Sequence, residues 1–261
     1  MMKKHIFLLM FFLKMLPANA QNIEIDADQK LEWYRNEQKM IAIGNAVAQK
    51  NGNILKGDTI TAFYERVQLE DGSQKTQIQK ILANDNVSLE MNNSTGYGTH
   101  FEYDLPKKTA VLYGKPAKLI NQQGEITATQ NITYYLNENK SIALGKVIAK
   151  NPEYTVYANK MISYFKEVGG KKELEHIEIF SGTDPVKLVN NQGTVVGKRG
   201  TYFPVENKLR IYDNVVIHQE DNILNGDYAE TDLNTGISRV LPAKKQGRVT
   251  GVFHNKKKEE K

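Results

Sequence analysis

The stretch Ile41-Ala42-Ile43-Gly44-Asn45-Ala46-Val47 gives the clearest indication of secondary structure in this 261-residue chain. Its apolar residues alternate on both sides of a Gly-Asn pair, and a period of two is typical of a β-strand with one buried face. The interrupting pair indicates a bend or bulge where the strand turns a corner. Related stretches lie at 81–89, 111–117, 142–147, 177–188 and 209–217. The sequence therefore predicts a series of long, bent strands.

A second pattern occurs between these stretches: a small residue, then a short run in which apolar or aromatic residues flank a polar one. It occurs seven times, and its small residues are Ala27, Gly57, Gly98, Ala128, Ala158, Gly197 and Gly226. Their spacings are 30, 41, 30, 30, 39 and 29 residues. The two long intervals contain inserted loops near Gly72 and Gly170. Self-similarity at such a period indicates a repeat architecture.

Turn signals separate the predicted strands, and no segment beyond the N-terminal leader has a convincing helical period. We predict an all-β fold, an elongated twisted β-jellyroll or solenoid-like array of about fourteen consecutive antiparallel strands in about seven repeats. With seven strands in each of two facing layers, the array would be about 30 to 35 Å long.

The first twenty residues are typical of a secretory signal peptide. Lys3 and Lys4 precede an apolar run at 6–13, and Ala18-Asn19-Ala20 is a small-x-small cleavage site. The apolar run is about half of the roughly 20 residues that a membrane-spanning helix needs. We therefore expect 1–20 to be a signal peptide cleaved after Ala20. We expect 21–241 to be the repeat domain and 242–261 a basic, disordered tail.

Composition excludes several classes of function. The chain has no cysteine, so it forms neither disulfides nor thiolate metal sites. The net charge of +5 is misleading, because the leader carries three lysines and residues 244–261 carry seven basic and two acidic side chains. The body holds 25 basic and 28 acidic residues, which gives it no basic excess for nucleic acid.

No catalytic or metal-binding motif stands out. The five histidines, His5, His100, His176, His218 and His254, have no metal-ligand spacing. Since Asp28, Asp58 and Asp227 fall at matching repeat positions, we expect the same structural role for each of them. We predict no catalytic residue, no cofactor and no metal. Two alternatives remain: a polysaccharide-acting β-solenoid enzyme, which needs clustered carboxylates, and a structural or adhesion module with a sealed, packed interior.

The repeat resembles that of the LptA/OstA family. Ala27-Asp28, Gly57-Asp58 and Gly226-Asp227 look like the starts of OstA-like repeats, and residues 224–236 are similar to the last full repeat of that family. The stretch 41–47, followed by 55–58, resembles its first hairpin. The resemblance covers about Ile23 to Leu241. It implies a β-jellyroll, open along one side, that shelters lipopolysaccharide acyl chains in the periplasm of a Gram-negative cell and bridges the inner- and outer-membrane transport machinery.

A carrier of this kind needs an apolar groove, because each methylene of an acyl chain costs about 0.8 kcal/mol in water. The candidates for lining it are Trp33, Ile43, Ile60, Phe101, Tyr103, Ile132, Tyr134, Ile162 and Tyr164. An array that does not close also leaves an unpaired strand at each end. The candidates for assembly through these edges are Ile23, Ile25, Tyr228, Ile237 and Val240. The expected partners are lipopolysaccharide or its lipid A part, membrane components that share the repeat, and further copies joined head to tail.

Overall fold

The computed structural model describes residues 23–91, 93–242 and 248–252. These residues form a single antiparallel sheet of twenty strands, and no helix occurs among them. The predicted all-β class is therefore confirmed. The predicted signal peptide lies outside the described residues. Within the described part of the chain, no helix is long and apolar enough to cross a membrane.

The strands follow one another with short turns. They are β1 (Glu24–Asp26), β2 (Lys30–Tyr34), β3 (Lys39–Lys50), β4 (Asn53–Gln68), β5 (Gln74–Met91), β6 (Ser94–Asp104), β7 (Thr109–Tyr113), β8 (Ala117–Asn121), β9 (Gly124–Ala128), β10 (Asn131–Tyr135), β11 (Lys140–Lys150), β12 (Tyr154–Val168), β13 (Lys171–Phe180), β14 (Val186–Asn190), β15 (Gly193–Gly197), β16 (Arg199–Phe203), β17 (Lys208–Gln219), β18 (Asn222–Asp232), β19 (Ser238–Leu241) and β20 (Thr250–Val252).

Many of the shorter strands are halves of one bent strand. For example, β1 and β2 both pair with β3, while β7 and β8 both pair with β6. In the same way, β9 and β10 both pair with β11, and β13 and β14 both pair with β12. β15 and β16 both pair with β17, and β19 and β20 both pair with β18. The sheet thus consists of fourteen bent strands in consecutive antiparallel order, as predicted.

Each bent strand contributes one half to each of two facing layers. Layer A contains β1, β8, β9, β14, β15 and β20, and layer B contains β2, β7, β10, β13, β16 and β19. The remaining strands continue from one layer into the other. Each layer therefore has fourteen half-strands, which at 4.8 Å per strand span roughly 60 Å. The expectation of seven strands per layer and a length of 30 to 35 Å was wrong, because the chain changes layer within a strand and not at a hairpin turn.

Among the described residues, four corners between the layers contain a pair of left-handed residues. The pairs Gly44-Asn45 and Gly145-Lys146 have positive φ angles, and the strand register shifts at both places. Gly145, at φ +81°, also lies so close to Gln130 and Thr129 that a Cβ would meet them at 2.6 and 2.9 Å. The corner thus needs glycine for both backbone angle and space.

Two of the repeated aspartates, Asp28 and Asp58, accept hydrogen bonds from corner residues. The Asn45 side-chain amide donates to Asp28 at 2.7 Å, and the Asn86 amide donates to both carboxylate oxygens of Asp58, at 2.9 and 3.0 Å. These side chains are exposed. The contacts agree with the structural role expected for the acidic repeat position.

The sheet extends beyond the boundary expected at residue 241. β20 lies in the segment expected to be a disordered tail, and it pairs with the layer A half of β18. Most of that segment lies outside the described residues. The tail expectation is thus wrong for residues 250–252, which complete the last bent strand.

Candidate functional site

The two layers enclose a continuous apolar interior. In each layer, one row of inward-facing residues crosses all fourteen strands, and each member of the row pairs with the next in the strand register. Row A comprises Ile25, Ala48, Leu55, Leu89, Gly96, Leu119, Ile126, Ala149, Val156, Leu188, Val195, Ile217, Leu224 and Gly251. Row B comprises Leu31, Ala42, Ile60, Ala83, Phe101, Leu112, Ile132, Ala143, Met161, Ile179, Gly200, Ile211, Ala229 and Val240. Neither row contains a polar side chain.

A third inward row has a different character. Row C lies in layer B, two residues farther from the corners than row B. Its members are Trp33, Met40, Ala62, Ile81, Tyr103, Ala110, Tyr134, Ser141, Ser163, Ile177, Tyr202, Leu209, Thr231 and Ser238. Row C lies toward the side of the sheet that is opposite the corners. The hairpin turns of both layers lie on that side. We call this side the seam. The interior thus changes from purely apolar at the corners to partly polar at the seam.

In the C-terminal half, the two layers pack against each other and leave only a small gap. The gap there is a cavity of about 30 Å³, lined by apolar and tyrosine side chains of both layers, and it has room for about one water molecule. The Tyr154 hydroxyl of layer A donates to the backbone carbonyl of Leu233 in layer B at 3.4 Å. Near it, a Cβ at Gly236 of layer B would lie 3.2 Å from Gln192 of layer A. An acyl chain would therefore have to part the two layers near this gap.

The N-terminal end of the interior is open. Leu31 and Trp33 belong to the inward rows, yet their exposed fractions are 61% and 56%. The Trp33 indole donates to the Tyr64 hydroxyl, and the Arg35 guanidinium lies 4.8 Å from the Trp33 ring centroid. The apolar rows therefore reach solvent at this end.

Six of the nine lining candidates face the interior. Ile60, Phe101, Tyr103, Ile132 and Tyr134 are buried, and Trp33 lies at the open end. Burial raises the pKa of Tyr103 to about 12 and also raises the pKa of Tyr154. Both hydroxyls are therefore neutral at physiological pH, and the interior gains no charge from them.

Three candidates face outward, so the prediction was wrong for them. Ile43 pairs with Lys30 and Thr59 on the outer face. Ile162 pairs with Ile142 and Glu178 on the outer face, and Tyr164 stacks on His176 at 4.5 Å. The inward residues of these strands include Ala42 and Met161 of row B and Ser163 of row C.

The error at β12 has a definite cause. After Ala128 the chain reaches its next inward residue, Ile132, in four positions, whereas after Ala158 it reaches Met161 in three. A change of one residue turns every following side chain to the other face. The aromatic Tyr164 suggested the same frame as Tyr134. The large apolar side chains of Met161 and Phe165 were the signal for the correct one.

The edge candidates also need one correction. Tyr228 lies in β18, which has neighbours on both sides, so it is not an edge residue. Ile25 lies in β1 and Val240 in β19, which have partners on one side only among the described residues. Ile23 and Ile237 directly precede these two strands.

The histidines in the described part of the chain are His100, His176 and His218. No group of histidine and carboxylate side chains there could hold a metal ion. His100 contacts Asn84 and Tyr113, and His176 lies between Tyr164 and Phe203. These histidines have ordinary partners on the outer face.

Comparisons with known proteins find one family model and solved structures to which the chain is similar. The family model described as LptA/(LptD N-terminal domain) LPS transport protein matches twice, at residues 24–140 and 125–237. Among solved structures, the chain is similar to LptH from Pseudomonas aeruginosa, the LptA-homologous periplasmic component of the lipopolysaccharide transport device. The identity is 14%, with 90% of this chain and 96% of that chain covered, and the TM-score is 0.22. No curated protein matches.

The double match reflects an internal duplication. The two matches begin 101 residues apart. The corner pairs Gly44-Asn45 and Gly145-Lys146 are separated by the same offset, as are the strand bulges at Phe63/Tyr64 and Tyr164/Phe165. The inserted loops near Gly72 and Gly170 follow these bulges, so they are the same hairpin in two copies. One unit is six bent strands, and the chain carries it twice in one continuous sheet.

Proposed function

Because the chain belongs to the LptA/(LptD N-terminal domain) family of lipopolysaccharide transport proteins, we propose that it carries lipopolysaccharide between the inner and outer membranes. The acyl chains would lie between the two layers. The observation that carries this proposal is the pair of apolar rows that cross all fourteen strands without a polar side chain. The carrier would work in the periplasm, after loss of residues 1–20, and would need neither cofactor nor catalytic residue.

The geometry suits transport better than storage. An acyl chain of a dozen carbons gains roughly 10 kcal/mol by leaving water. A row that repeats at every strand offers many positions of similar energy, so a bound chain can shift from one to the next. The packed interior means that the layers part at the seam when lipid enters, and the open end at Leu31 and Trp33 is the natural starting point.

A structural or adhesion module is the second candidate. It is favoured by one observation, the closed packing of the C-terminal half, where the cavity is about 30 Å³. Such a module would bind no lipid. Lipid capture by inward residues therefore separates the two functions.

Photo-crosslinking tests the carrier directly. A photoreactive phenylalanine analogue at Trp33, Tyr103 or Tyr134 is expected to capture lipopolysaccharide in cells, because these positions line the interior. The same analogue at the outward Tyr164 is the matched control and should capture at most about a tenth as much, since neighbouring faces of a strand point apart. Equal capture at inward and outward positions would contradict the carrier.

The purified protein is expected to begin at Gln21, because export would remove residues 1–20. Its intact mass checks this, and a mass that includes Met1 would contradict export.

We further propose that the two free edges join chains head to tail, to copies or to partners with the same repeat. Along β19, the Ile237 carbonyl accepts from Asp232 of β18, so the amide of the next residue, Ser238, points away to the free edge. Exposed strand edges are templates for pairing with another chain, and a heterologous contact can lengthen into a filament.

Ser238→Pro tests this assembly. The change removes an edge amide that β18 does not use, so the fold should survive. The unmodified protein is expected to grow in mass with concentration, whereas Ser238→Pro should stay small with an unchanged circular-dichroism spectrum. Light scattering measures the difference. A natural protein that stays monomeric at high concentration, without binding a partner at this edge, would exclude the assembly while leaving lipid binding intact.

A further inference from the structure

The β12–β13 hairpin places a cation at the seam. Phe165 pairs with Leu174, and both are buried against the interior. Two residues farther along the hairpin, Lys172 lies on the same inward face. Its ammonium group donates to the Tyr134 hydroxyl at 2.9 Å and lies 5.4 Å from the centre of that ring. Tyr134 is a member of row C and is only 2% exposed. A half-buried positive charge thus stands where the apolar interior meets the seam.

Among the described residues, Lys172 forms no ion pair with an acidic side chain. Glu167 lies opposite Lys172 in the strand register. The two form no ion pair, however, and the ammonium turns inward to Tyr134 instead. Lys172 makes no salt bridge with any residue that the structure describes. A partly desolvated charge without a counter-ion is unfavourable. A bound anion would therefore stabilise the Lys172 ammonium group.

The first unit has a cation at the matching place. The β4–β5 hairpin is the equivalent element, and there Arg66 pairs with Thr76 on the inward face, two residues beyond Tyr64. Within the described ranges, Arg66 also forms no ion pair. The basic residue has changed strand, since position 66 corresponds to 167, but the ladder position keeps one basic side chain, which in the second unit lies opposite Glu167. Each unit therefore carries one basic residue at this ladder position, where Lys172 is half-buried and Arg66 is exposed.

We propose that Lys172, with Arg66 as its counterpart, binds the phosphate of an amphiphile whose acyl chain lies in the interior. This inference rests on the proposed carrier function. An ammonium offers three donors and suits phosphate as a point charge. The headgroup would stay at the seam, next to water, while the chain reaches rows B and A. The hairpins then set how deeply the lipid enters and which headgroups are accepted.

The test compares two amphiphiles with the same tail, dodecyl phosphate and uncharged dodecyl maltoside, both below their micelle concentrations. The protein is expected to bind dodecyl phosphate more tightly. Lys172→Gln should weaken dodecyl phosphate binding roughly 5- to 20-fold, as expected for one charge-assisted hydrogen bond at a half-exposed site. It should leave dodecyl maltoside unchanged. Lys172→Arg should restore the phosphate affinity. Lys171→Gln is the matched control, because Lys171 is the next residue and points to the opposite face.

Each result has a distinct meaning. If Lys172→Gln and Lys171→Gln bind dodecyl phosphate equally well, the headgroup site is overturned while the carrier stands. If the natural protein binds neither amphiphile, the proposed carrier function itself fails, and the site fails with it. Inorganic phosphate is the third probe. If it competes with dodecyl phosphate at an equal concentration, Lys172 binds a free anion, and the assignment to a lipid headgroup is overturned.

Discussion

Joining the two layers across the seam in the C-terminal half is expected to weaken amphiphile binding strongly. Gln192 lies in a turn of layer A and Thr235 in a turn of layer B, and the neighbouring Gly236 lies close to the Gln192 side chain. The natural chain has no cysteine, so a Gln192→Cys/Thr235→Cys variant can be crosslinked at these two positions alone. A short reversible dithiol reagent should then hold the seam shut.

The expected loss is large because the gap between the layers near these turns is only about 30 Å³. The apparent affinity falls in proportion to the open fraction of the protein, so a lock that permits little opening should reduce lipid binding roughly tenfold or more. Reduction of the reagent should restore it. The matched control is Gln192→Cys/Glu153→Cys, whose two positions lie in neighbouring turns of layer A. Crosslinking this pair should leave binding unchanged. Full binding by the locked seam variant would show that lipid does not enter between these turns.

The second large effect concerns stability. Leu112 lies in row B between Phe101 and Ile132, near the middle of the array, and is 2% exposed. Leu112→Ala is expected to lower the free energy of unfolding by about 2 to 5 kcal/mol, because it removes buried methyl groups and leaves a cavity. The neighbouring Val111 faces outward and is half-buried. Val111→Ala should cost about 1 kcal/mol or less.

Urea denaturation of the two variants measures this difference. If they lose stability equally, row B is not the core of the array. A change in the slope of the transition would indicate that the variant has lost its two-state behaviour, so the comparison requires equal slopes.

The strand number and the corners could be predicted from sequence, because both depend on local signals. Alternation of apolar residues gave the fourteen bent strands, and Gly44-Asn45 marked a corner that only left-handed residues can form. The arrangement of the strands in two layers could not be predicted in this way, because it does not depend on local signals. A corner inside a strand places one strand in both layers, and nothing within a single repeat distinguishes that from a turn between layers.

The lining residues were less predictable. A corner that uses three positions after Ala158 and four after Ala128 changes which face is inward, and Ile162 and Tyr164 were assigned wrongly for that reason. Lys172 gave no signal, because its hairpin was interpreted as an inserted loop. The internal duplication, by contrast, did leave a signal in the sequence. The spacings between the small residues are 30, 41 and 30, followed by 30, 39 and 29, so the series of spacings occurs twice.

Sequential strand pairing has a consequence for how the chain folds. In the described sheet, the widest register pairs are Ile54 with Glu90 and Tyr154 with Asn190, which are 36 residues apart. Each strand therefore finds its neighbours among residues already close along the chain, and the loop-closure entropy of every step is small. Repeat arrays of this kind can nucleate at any hairpin and propagate. A chain that emerges from a translocation pore N-terminus first can thus form its sheet strand by strand, without waiting for its C-terminus.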